Sequence, residues 1–137
     1  NNLGNAIPGA TPRARIDIQS AVPGAPIVAS KDRELLLRTR VKNLSTRPFP
    51  ANATYGRRLT RLGAQLCSSD GELLKLDFAR ADLPAHLLPG ESVDVIVRLP
   101  ALPDAGRYRL KLNLVSEGID WFERSGSQPT ITPLVVR

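Results

Sequence analysis

The sequence predicts an all-β fold, an immunoglobulin-like antiparallel β-sandwich of about seven to eight strands. Three observations carry that expectation: apolar and polar residues alternate with period two in several segments, Gly and Pro turn signals separate those segments, and no segment shows a long helical period. The alternation is cleanest from Gly106 to Leu114, where Tyr108, Leu110, Leu112 and Leu114 share one side and Arg107, Arg109, Lys111 and Asn113 the other. Such a strand buries its first face and wets its second. A jelly roll is the alternative sandwich topology.

Taken in order, residues 1–13 are rich in Asn, Gly, Ala and Pro and read as a linker or tail, leaving 14–137 as a single domain. The chain begins at Asn1 and holds no Met, so it is expected to be a processed product or a piece excised from a longer polypeptide. Arg15 to Ile18 form a first short strand; a Pro23-Gly24 turn and an edge segment at Pro26-Ile27-Val28 follow. From Glu34 to Leu44, Leu35, Leu37, Thr39 and Val41 face inward, and Pro48-Phe49-Pro50 takes the chain out of the sheet. Leu62, Ala64 and Leu66 alternate with Arg61, Gly63 and Gln65, and Ser69-Asp70-Gly71 supplies a hairpin turn. The return strand is expected to bury Leu74, Leu76 and Phe78, followed by a loop with one helical turn over 82–88. Pro89-Gly90 leads into Ser92–Leu99, with Val93, Val95, Val97 and Leu99 inside, and Ile131 to Val136 close the fold as a strand broken by Pro133.

Composition narrows function. One Cys and one His, Cys67 and His86, allow neither an internal disulfide nor a structural zinc site. His86 has no nucleophile motif beside it, and no Gly-rich phosphate loop precedes a helix, so neither triad catalysis nor nucleotide binding is expected and no cofactor is implied. The net charge of +6 is spread through alternating strands rather than gathered in a run, which argues against nucleic acid. No apolar run reaches membrane-spanning length.

Several pieces line up with a known family: Val41–Ser45, Leu62–Leu66 with Asp70-Gly71, Leu83-Pro84, Leu88–Ser92, Leu99–Pro103, Gly106–Leu110, and above all Leu114–Phe122, ending at Gly126-Ser127. Over roughly Leu35 to Arg137 the chain resembles the β-sandwich module at the C-terminus of bacterial O-antigen ABC-exporter ATPases, which is also attached to glycosyltransferases and methyltransferases of surface-polysaccharide clusters. It departs from related modules at Pro48-Phe49-Pro50, where they often carry Trp. The resemblance implies a non-catalytic, cytoplasmic carbohydrate-recognition module that meets the membrane only through its parent transporter or enzyme. Its partners would be the polysaccharide and the parent's other domains. The alternative is an Ig-like protein–protein or dimerisation module, a homodimer included.

The candidate glycan site is Trp121 and Phe122 with Glu117, Asp120, Glu123 and Arg124 beside them. Flat aromatic rings suit the C–H face of a pyranose, and carboxylates and guanidinium suit its hydroxyls. The other reading has both rings closing the end of the sandwich. Adjacent residues of an extended chain point to opposite sides, so one ring can also plug the core while the other is exposed. Arg107, Arg109, Lys111 and Asn113, extended by Arg61 and Gln65 on the neighbouring strand, form a polar sheet face: either a solvated surface or a grip for an oligosaccharide bearing uronic acid or phosphate. Arg38, Arg40, Lys42, Asp94 and Arg98 belong to the other sheet as cross-strand pairs.

Overall fold

The computed structural model describes residues 12–51, 59–117 and 120–137; most of the expected linker, along with Gly118 and Ile119, lies outside them. Nine strands are described: β1 (Ala14–Ile18), β2 (Ile27–Ala29), β3 (Leu35–Asn43), β4 (Thr60–Ser68), β5 (Leu73–Asp82), β6 (Ser92–Leu99), β7 (Gly106–Ser116), β8 (Asp120–Trp121) and β9 (Thr130–Val136). They build two sheets, one ordered β1-β3-β6 and the other β2-β9-β7-β4-β5, with β8 pairing β7 beyond the end of β9. This is the immunoglobulin-like sandwich with an additional edge strand on the larger sheet. Among the described residues no helix is long and apolar enough to cross a membrane.

The core follows from the alternation. Leu37, Val41, Leu62, Leu110, Leu112, Leu114 and Val97 are fully buried between the sheets. The outer face of the smaller sheet is exposed and ion-paired, Arg40 to Asp94 at 2.9 Å and Arg98 to Glu34 at 3.1 Å. The hydrogen bond to Asp94 and its charge raise the pKa of Arg40 above the ordinary arginine value. Tyr108, at the start of β7, donates its hydroxyl to Asp104 O at 2.8 Å, a tyrosine corner that fixes how this central strand enters its sheet. Asn43 ends β3 with a buried amide that donates to Arg47 O and Leu87 O and accepts from Ser45, so the turn after β3 is tied to the segment after β5.

Four expectations need correction. Leu74 and Leu76 are about half exposed rather than buried, because the β4–β5 register shifts between Ala64 and Cys67 and the bulge turns this part of β5 away from the core. The expected helical turn over 82–88 is absent: Leu87 instead exchanges backbone hydrogen bonds with Phe49, and His86 Nδ1 accepts one from Ala51 N. Pro133 does not break β9, which runs on in register with β7 and places Pro133 opposite Arg109. The outer sides of β4 and β7 are not uniformly wet, since Gln65, Cys67 and Asn113 are all buried.

Candidate functional site

Part of the cover on that outer face is an indole. β8 folds back on β7 with Trp121 in register with Val115, and the indole reaches across to β4. It lands where β4 has no side chain: a Cβ added to Gly63 would lie 2.5 Å from Trp121 Cη2 and 2.7 Å from Cζ3. Glycine is required there for space. Arg80, opposite Gly63 on β5, stacks its guanidinium 4.6 Å from the indole centroid. That is cation–π geometry, and it occupies one face of the ring.

Phe122 turns the other way. It is 4% exposed and meets Phe49 edge to face, with centroids 5.3 Å apart and planes at 74°. The pair therefore divides into a core plug and an outer ring, because Phe122 opens a single 3-10 turn (Phe122–Ser125) that reverses the chain. Gly126, at φ 92°, ends the turn, and its N–H donates to Glu123 O. Ser127 then ties the segment to β1 through Ala14, and its carbonyl accepts from Asn113 Nδ2 at 3.4 Å.

Trp121 splits the outer face in two. On one side lies an ion cluster. Arg80 pairs with Asp77 at 2.6 Å and with Glu117 at 3.5 Å, and Arg61 Nη1 reaches Glu117 at 3.4 Å. Arg61 Nε lies 2.8 Å from Asp82 but without its N–H aimed at the carboxylate, so that contact is Coulombic rather than a directed hydrogen bond. On the other side is an open groove of about 840 Å³. Its floor is Gln65 opposite Lys111, Cys67 opposite Arg109, and Ile131 from β9. Leu73 and Leu76 of β5 form one wall, and Trp121, Glu123 and Arg124 the other. Lys111 Nζ pairs with Glu123 Oε2 at the rim. Gln65 is only 7% exposed, and its amide, which makes no hydrogen bond among the described residues, keeps its contact with solvent at the groove floor.

Of the residues singled out from sequence, the groove gathers Trp121, Gln65, Arg109, Lys111, Glu123 and Arg124. Arg107 borders a neighbouring hollow shared with Arg109. Phe122 and Asn113 serve the core and the turn, and Arg61 and Glu117 belong to the ion cluster beyond the ring. The Asp120 side chain lies outside the described residues. Sequence reasoning missed Gly63, Arg80, Leu73, Leu76 and Ile131; a glycine in the middle of a strand was the available signal. Among the described residues no group of three or more His, Cys, Asp or Glu converges to hold a metal.

No protein-family model matches the chain, and no curated protein matches it. Its likenesses are to solved structures. The CARDB domain of the PF1109 protein from Pyrococcus furiosus, solved in complex with di-metal ions, is 16% identical with a TM-score of 0.54, over 93% of this chain and 94% of that one. A β-glucosidase from Listeria innocua in complex with glucose is 14% identical at 0.51, over 91% of this chain but 16% of the enzyme. A Niemann-Pick type C2 protein from Japanese carpenter ant is 10% identical at 0.50, over 93% of each chain. At such identities the likeness is one of fold, and the chain is an immunoglobulin-like β-sandwich.

Proposed function

We propose that this chain is a non-catalytic glycan-recognition module of a longer bacterial protein, and that it holds a surface polysaccharide of the O-antigen kind in the outer groove for export or modification. The observation that carries this reading is Gln65. The residue is 7% exposed, its amide makes no hydrogen bond among the described residues yet keeps contact with solvent, and it lies on the floor of a groove walled by an indole, where a ligand hydroxyl can take the place of water. Trp121 and the exposed leucines suit the C–H faces of pyranose rings; Gln65 and the cations suit their oxygens. The gap between the sheets beside Phe78 holds only about 10 Å³, too little for a sugar ring. The resemblance of Leu114–Phe122 to exporter modules supplies the class of polymer and a cytoplasmic setting.

The test is retention of bacterial polysaccharides on immobilised protein, comparing the natural chain with Trp121→Ala and Gln65→Leu. Both variants should lose retention while still unfolding cooperatively. Retention that survives both substitutions places the ligand elsewhere and sinks the reading.

One observation favours a second reading, a dimerisation module. Among the described residues β5 pairs only with β4, at the edge of the larger sheet, and it exposes Leu73, Leu74 and Leu76. A concentration-dependent dimer in sedimentation, together with no glycan retained, would select it.

A further inference from the structure

We infer that the groove selects an acidic glycan, one carrying carboxylate or phosphate groups, and that Glu123 competes with that ligand for the same cations instead of binding sugar itself. The inference rests on the glycan reading of the groove. Among the described residues, Arg109, Lys111 and Arg124 line it against the single carboxylate of Glu123. Arg109 makes no ion pair among the described residues. Its side chain runs over buried Cys67 toward the β4–β5 turn, where a Cβ added to Gly71 would lie 3.4 Å from Nη1.

A neutral sugar laid over Arg109 would strip water from a cation and give back only neutral hydrogen bonds, whereas an acid group supplies a counter-ion in the planar, bidentate geometry guanidinium prefers. Lys111 already has such a counter-ion. The Lys111–Glu123 pair keeps 25% and 39% side-chain exposure, so it sits at the rim and can open. A ligand acid that reaches Lys111 must displace Glu123, and whatever that pair is worth is subtracted from binding. Neutralising Glu123 should therefore strengthen the acidic complex, whereas a residue that grips sugar hydroxyls would show the reverse.

The experiment uses oligogalacturonides and mannose-6-phosphate oligosaccharides, each beside its neutralised counterpart, carboxyl-reduced or phosphatase-treated. Affinities are measured for the natural chain, Glu123→Gln and Arg109→Gln. Expected are preference for the acidic member in at least one arm, affinity roughly two- to fivefold higher for Glu123→Gln, and roughly tenfold lower for Arg109→Gln. The neutralised chains should respond to neither substitution. The arm that binds tells carboxylate from phosphate. Equal binding of acidic and neutralised chains overturns the selectivity, and unchanged or weaker binding by Glu123→Gln overturns the competitor role; both leave the glycan reading standing. If no chain of either kind binds, that reading falls as well.

Discussion

Replacing Gly63 by Ala tests the seat of Trp121 with one methyl group. The new Cβ would stand 2.5 and 2.7 Å from two indole carbons and 3.0 Å from Arg80 Nη1, against an optimum of about 3.5–4.0 Å. The indole must retreat by about 1 Å, and in doing so it parts from the guanidinium stacked at 4.6 Å. Overpacking costs about 1–3 kcal/mol and the weakened cation–π contact up to about 1 kcal/mol. The gain from removing a glycine inside a strand offsets about 0.5–1 kcal/mol. The net loss is therefore about 1–2 kcal/mol, or about 4–8 °C in Tm for a domain of this size. Trp121 is the sole tryptophan, so its fluorescence reports the seat without labelling. Urea unfolding should move to lower midpoint with an unchanged slope, and emission from the native state should shift to the red. In a Trp121→Ala background the same Gly63→Ala change should become neutral or stabilising, because the clash is gone. A Gly63→Ala protein with higher Tm and unchanged emission would refute the seating.

The two aromatic neighbours should separate in the same measurement: Phe122→Ala should cost about 3–5 kcal/mol, as expected for a phenylalanine buried against Phe49, and Trp121→Ala distinctly less. Equal losses would contradict the division into plug and outer ring. Cys67 offers a check on ligand position, since it lies on the groove floor opposite Arg109. Its alkylation by a maleimide should slow when a retained glycan is bound, and an unaltered rate would put the ligand outside the groove.

How much of this could be read from the chain depends on what sits on each face. β3, β6 and β7 were legible because one side of each faces the facing sheet, and a period of two records that directly. The pattern failed where a face is covered by something distant in sequence. Gly63, Gln65 and Asn113 fall on the outward positions of β4 and β7, yet Gln65 and Asn113 are buried beside an indole delivered by β8 and a turn clamped by Ser127. Leu74 and Leu76 failed for a different reason: alternation presumes a regular register, and the extra β5 residues opposite Gln65 put this first part of the strand out of step with buried Ala79 and Ala81 beyond it. The aromatic pair was legible as a divergence of two directions, but not as to which ring went where, since that depends on the 3-10 turn beginning at Phe122.

The same turn explains how the outer indole can be held in place here. Trp121 belongs to a strand of only two residues, which has little rigidity of its own. It is held by what surrounds it: Phe122 sunk into the core against Phe49, Ser127 tied to Ala14, and Arg80 stacked on its ring. Arg80 is itself fixed by Asp77 and Glu117 on the far side of the indole from the groove. On the proposed glycan reading, the ion cluster that contains Arg61 and Glu117 would contribute to recognition without touching the ligand, by fixing the ring that does. A loss of binding on substituting Glu117 would follow from a loosened Trp121, and the emission of that same tryptophan distinguishes this from direct contact with sugar.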